Sequence, residues 1–146
     1  IKEEVATKEF VISLGKANVV QEGSDVTIVA WGAMVRECQK AVESLTDKEV
    51  SLEIIDLRTM SPLDSETILT SVKKTGRLVI VHEAPKSGGL GAEISARINE
   101  KGILHLKSPI VRVTGFDTIF PLYQNEMKYL PSPNRIIKAV HEVMEY

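Results

Sequence analysis

Four short segments of this chain are apolar on both faces: residues 26–31 (VTIVAW), 52–57 (LEIIDL), 78–81 (LVIV) and 109–113 (PIVRV). A strand with one wet face alternates apolar and polar residues. A strand without that alternation belongs in a sheet covered on both sides, and such sheets are parallel. The stretches between them carry helical periodicity. Met34, Val35, Cys38, Ala41, Val42 and Leu45 predict an amphipathic helix to about residue 46. Ile68, Leu69 and Val72 mark a second helix, which closes on Lys73, Lys74 and Gly76, residues suited to a helix C-terminus. Ser61-Pro-Leu-Asp64 before it reads as a capping box with proline at the first helical position, or as a lead-in to Asp64 as the cap. Ile94 and Ile98 mark a third helix. Ile136, Ile137, Val140, Val143 and Met144 mark a last one, beginning near Ser132-Pro-Asn134. Strand and helix alternate four times, which predicts a three-layer α/β sandwich with right-handed crossovers. Phe10-Val-Ile-Ser-Leu14 is a candidate edge strand, and residues 1–9 read as a polar linker.

The bulk properties remove several function classes. At 146 residues the chain is one domain's worth, with enough core to need no disulfide or metal staple. A net charge of −2 and 5% aromatic residues give no basic field and no stacking platform for nucleic acid. No apolar run approaches the roughly 20 residues that span a bilayer. The single Cys38 cannot form an internal disulfide, which suits a reducing compartment. The chain starts at Ile1 with a charged, non-signal-like segment, and is read as a fragment or processed product.

Candidate chemistry gathers in residues 77–93, where a strand runs into His82-Glu83-Ala-Pro85 and then Gly88-Gly89-Leu-Gly91. Glycines before a helix can cradle a phosphate. Here the spacing is Gly-Gly-x-Gly after the third strand, which matches neither the dinucleotide fingerprint nor a P-loop. The turn is therefore read as a packing corner. His82 and Glu83 sit where catalytic groups often lie, at a strand's carboxyl end, yet no acid/base partner is identifiable. They are read as a polar strand tip or a subunit contact. Asp56-Leu-Arg58 offers a carboxylate-binding arginine or a structural ion pair at an interface, and the ion pair is preferred; Asp117 is equally ambiguous. Cys38 lies on an apolar helix stripe and is read as a small buried hydrophobe. The three histidines lack zinc-ligand spacing.

Six pieces in order resemble one family. They are Gly23-Ser-Asp-Val-Thr-Ile-Val-Ala-Trp-Gly32, Asp56-Leu-Arg-Thr-Met-Ser-Pro-Leu-Asp64, Lys74-Thr-Gly-Arg77, His82-Glu-Ala-Pro85, Gly88-Gly-Leu-Gly-Ala-Glu-Ile94 and Val113-Thr-Gly-Phe-Asp-Thr118. Together they resemble the C-terminal domain of the β subunit of thiamine-diphosphate-dependent 2-oxo acid dehydrogenases. The His-Glu-Ala-Pro segment and the Tyr ending look closest to the branched-chain enzyme, with the pyruvate and acetoin enzymes also open. The resemblance implies a transketolase C-terminal-domain-like fold: a five-stranded mixed, mainly parallel sheet whose antiparallel strand comes from the segment before Val26. It implies residues 1–14 as an arm from a preceding pyrimidine-binding domain and 15–146 as the domain itself.

The same resemblance implies an α2β2 enzyme that uses thiamine diphosphate and Mg²⁺ and passes its acyl group to lipoyl groups. The partners would be an α subunit, a second β subunit and the subunit-binding domain of the lipoyl acyltransferase; the setting would be the cytoplasm, or a mitochondrial matrix. The glutamate that contacts the cofactor lies in the preceding domain of that family. The resemblance therefore implies no catalytic, cofactor or metal residue here. His82, Glu83, Gly88, Gly89, Gly91, Arg58 and Asp117 become candidate subunit contacts. Glu142, Glu145 and Tyr146 become candidate acyltransferase-docking residues. Two other readings are a matching domain of another thiamine enzyme, of the transketolase or deoxyxylulose-phosphate synthase type, and a free-standing module binding a small anion at residues 88–91.

Overall fold

The computed structural model describes residues 7, 9–45 and 50–146. Its sheet contains β1 (Asn18–Gln21), β2 (Val26–Ala30), β3 (Leu52–Asp56), β4 (Leu78–Pro85) and β5 (Val111–Gly115) in the order β1-β3-β2-β4-β5. Strands β2 to β5 are parallel, and β1 runs antiparallel along β3. The helices are α1 (Ala33–Ser44), α2 (Ser65–Thr75), α3 (Leu90–Gly102), the single-turn α4 (Glu126–Tyr129) and α5 (Pro133–Met144).

Alternation along each strand divides the core into two layers. Val26, Ile28 and Ala30 of β2 join Ile54, Val79 and Val113 beneath α1 and α5. On the opposite face Val29, Ile55, Leu78 and Ile80 pack under α2 and α3. Because both faces are covered, β2 is buried at all five positions. This is the three-layer mixed sandwich that the sequence predicts.

Two local expectations need correction, and one open choice is decided. The edge strand is Asn18–Gln21, not Phe10–Leu14, whose apolar side chains remain exposed. The short β1 exists because β3 offers it a ladder, with Val19 opposite Ile55. Asp64, not Ser61, caps α2: its carboxylate accepts the Thr67 N–H at 3.2 Å and the Ala17 N–H at 3.1 Å, and Pro62 lies in the turn before. The third strand continues beyond residue 81 through the polar tip to Pro85, because β5 pairs with it as far as Gly115. At the other end of α2, Gly76 takes the left-handed conformation (φ 76°) that a helix-ending glycine permits. The expected end of α1 near residue 46, and residues 1–6 and 8 of the expected arm, lie outside the described residues.

Candidate functional site

Parallel pairing places the carboxyl ends of β2 to β5 along one edge of the sheet. Strand order sets Arg58, Trp31, His82 and Asp117 beside each other along it. The order reverses between β2 and β4, since α1 leads to one side of β2 and the crossover through α2 leads to the other. Ligands of open α/β sheets gather outside such a switch point.

Side chains fill this switch point. The His82 ring is buried and stacks on Trp31, with centroids 5.2 Å apart and planes 12° from parallel. The opening turn of α3 closes over it. A β-carbon at Gly91 would lie 2.5 Å from His82 Nε2, and one at Gly89 would lie 2.7 Å from Cε1. Both glycines are therefore needed for close approach to the imidazole, the packing role expected of the corner. Gly88 differs: it has φ 71° and open space where a side chain would stand. Neither His82 nitrogen has a hydrogen-bond partner among the described residues. Burial, then the nearby Arg112 cation, hold the ring's pKa below its usual value; the Ala84 backbone opposes them with a contact short of a hydrogen bond.

A clasp across the strand ends holds the outer rim. Ser87 donates its N–H and its hydroxyl to the two oxygens of Asp117, at 2.9 and 2.7 Å. These bonds hold the Asp117 carboxyl below the usual range. Arg112 donates to the Lys86 carbonyl at 3.0 Å. Arg58 stands at φ 55°, and its backbone N–H, not its guanidinium, meets the Asp56 carboxylate at 3.0 Å. Among the described residues these two side chains form no ion pair, so the preferred reading is not met. Glu83 is exposed on the same edge.

Beyond β5 an apolar segment is presented to solvent. Ile119, Leu122 and Tyr123 are each about 90% exposed, and Met127 is 75% exposed. Arg135 shapes this segment from α5. It donates to the carbonyls of Thr114 (2.6 Å), Tyr129 and Leu130 (3.3 Å each), and lies 4.6 Å over the Phe116 ring. Sequence reasoning missed Arg135; its place just after the Ser132 cap of α5 was the available signal.

Glu142, Glu145 and Tyr146 lie at the other end of the molecule. The Val143 carbonyl accepts from Arg77, just before β4, so α5 finishes at the amino edge of the sheet. A groove of about 500 Å³ runs beside it, lined by Asn134, Ile137, Lys138, His141, Glu142 and Glu145. The candidate residues thus fall into two groups at opposite edges.

Burial pushes the Cys38 thiol up to about 12, with Glu37 adding to the effect. A thiol at that value is not a nucleophile at neutral pH. Among the described residues no cluster of three His, Cys, Asp or Glu side chains could hold a metal ion. No helix among the described residues is long and apolar enough to cross a membrane.

Residues 15–136 match the family model of the transketolase C-terminal domain. Over 145 residues, 99% of the chain, the sequence is 48% identical to pyruvate dehydrogenase E1 component subunit beta of Staphylococcus aureus, covering 45% of that protein. It is 44% identical to the same subunit of Bacillus subtilis, with the same coverage. The chain thus spans about half the length of the curated relatives it matches. Among solved structures it resembles a split-gene transketolase described as an inactive β4 tetramer, with TM-score 0.82, 26% identity, and coverage of 98% of this chain and 46% of that one. A 2-oxoglutarate:ferredoxin oxidoreductase from Magnetococcus marinus shares the fold at TM-score 0.57 and 15% identity, over 88% of this chain and 19% of that one.

Proposed function

The chain belongs to the transketolase C-terminal domain family, and from that membership we propose that it is the assembly domain of the β subunit of a thiamine-diphosphate-dependent 2-oxo acid dehydrogenase. The complete enzyme decarboxylates its substrate oxidatively and passes the acyl group to lipoyl carriers. Thiamine diphosphate and Mg²⁺ are held elsewhere in the assembly. Of the substrates the sequence leaves open, the names of the relatives favour pyruvate over a branched-chain 2-oxo acid. Those relatives are bacterial, which favours a cytoplasmic setting.

The observation carrying this reading is the exposed apolar segment at the carboxyl edge. Contiguous exposed apolar surface marks a binding face. Arg135 and the Tyr129 ring hold this one in place, so little ordering is needed on association. Arg58, Glu83 and Asp117 supply its polar rim. The occupants are the α subunit and a second β subunit. Replacing Ile119 and Tyr123 together by aspartate should weaken assembly with the α subunit at least tenfold, about 1.4 kcal/mol. Sedimentation velocity of the mixed subunits measures this, and unchanged assembly removes the face from the reading.

The amino edge is assigned to the acyltransferase. Glu142 and Glu145, with Tyr146 beside them, face a cationic subunit-binding domain, which chiefly raises on-rate and specificity. Replacing Glu142 and Glu145 by glutamine should weaken that binding and flatten its salt dependence. Calorimetry at two ionic strengths tests this, and an unaltered affinity and salt slope end the assignment.

A further inference from the structure

The corner over His82 rests on a ring without hydrogen bonds, and this has a consequence for the face beside it. We propose that the His82–Trp31 stack is a proton-operated latch: a neutral imidazole closes the corner at residues 86–91, and a protonated one releases it. The proposal rests on the assembly reading only for its outcome, which is control of the carboxyl-edge face by pH.

The geometry supplies both states. In the closed state the ring is a flat filler between the indole and the glycines of α3. Protonation puts a donor on each ring nitrogen and a full charge on the ring; the Ala84 backbone lies close enough to favour that charge but short of a hydrogen bond, so neither nitrogen has a bonded acceptor. A charge without acceptors is poorly tolerated in a buried site. The surrounding elements do not relieve it. The apolar cluster under α2 and α3 brings no carboxylate. On α3, the first-turn Glu93 is exposed and paired with Arg97 at 2.7 Å. From β5, Arg112 adds repulsion, and on β4 itself Glu83 is exposed. The indole face attracts a cation but cannot accept its two N–H bonds. The ring must therefore turn toward water. The corner can follow, because Gly88 stands in open space and Gly89 and Gly91 have no side chains to move.

Release also reaches the assembly face. Ser87, in the same corner, holds Asp117, which adjoins Phe116 at the head of the apolar segment. Loosening the corner loosens that anchor.

Trp31 is the sole tryptophan, so its emission reports on the stack alone. An imidazolium against an indole quenches emission more than a neutral imidazole does. Acidifying the purified chain from about pH 8 to about pH 5 should change Trp31 emission reversibly, with a midpoint below 6.5, the ordinary histidine value, while the far-ultraviolet helix signal stays constant. His82→Phe should abolish the transition. Arg112→Gln, which keeps a donor for the Lys86 carbonyl, should move the midpoint to higher pH. Proton NMR of the three histidines follows the same titration where His82→Phe folds poorly. A flat emission, a transition that persists in His82→Phe, or one that coincides with loss of helix overturns the latch. Sedimentation with the α subunit at both pH values is a separate readout: a chain that latches without assembling keeps the latch and refutes the assembly reading.

Discussion

Replacing Lys74 by methionine should lower the unfolding free energy by about 2–3 kcal/mol, below the roughly 3–5 kcal/mol that breaking a fully buried ion pair costs. Glu53 lies on β3 between α2 and β1, with its side chain 1% exposed. One of its oxygens pairs with Lys74, and the other has no partner among the described residues. Lys74 also holds the exposed Glu22 at 2.8 Å. Without the ammonium, the buried Glu53 carboxyl is left without a partner on either oxygen. The loss is placed below that of a fully buried pair because Lys74 is 44% exposed and water can enter in its stead. Hydrogen bonds to Glu22 and then Glu53 hold the Lys74 ammonium above its usual range. Its contribution is therefore intact at neutral pH and is lost only as pH rises through that raised value. Lys73→Met, one residue away on an exposed position, should stay within about 0.5 kcal/mol. Urea unfolding with an unchanged slope measures both, and a Lys74 variant no weaker than the Lys73 variant refutes the argument.

Gly91→Ala should cost about 2 kcal/mol, although alanine is the better helix former by about 1 kcal/mol. The two effects oppose each other. A β-carbon at 2.5 Å from His82 Nε2 cannot be accommodated unless the ring gives up its stack on Trp31. In a His82→Ala background the obstacle is gone, and Gly91→Ala should become neutral or stabilising by up to about 1 kcal/mol. That inversion, read as a double-mutant cycle by thermal or urea unfolding, separates a packing corner from a backbone cradle for an anion. A cradle would show the same loss in both backgrounds.

These residues show what one sequence discloses. The parallel strands were legible because burial on both faces leaves a local signature in Val26–Ala30 and Leu78–Val81. The ends of α2 were legible from Asp64, Lys73, Lys74 and Gly76. Strand β1 was missed because its four residues carry no strong pattern, and their pairing comes from β3, more than 30 residues away. The apolar Phe10–Leu14 segment looked more like a strand than the true one. The candidate site was legible as a location and illegible as an arrangement. His82 and Trp31 are 51 positions apart, Ser87 and Asp117 are 30 apart, and Glu53 and Lys74 are 21 apart. Each such contact is settled by strand order, which periodicity does not specify. Arg135 was overlooked because its bonds go to carbonyls, and those leave no mark in side-chain identity.

Under the proposed assembly role, the placement of α5 gives the molecule two independent handles. Its first turn carries Arg135 at the carboxyl edge, and its last is tied by Arg77 at the amino edge. Partners at the two edges need not compete for room. Their binding free energies should add, so that occupancy of one handle leaves affinity at the other unaltered. A subunit arranged in this way can join its neighbours first and be hung on a larger scaffold afterwards, or the reverse, without a compulsory order of construction.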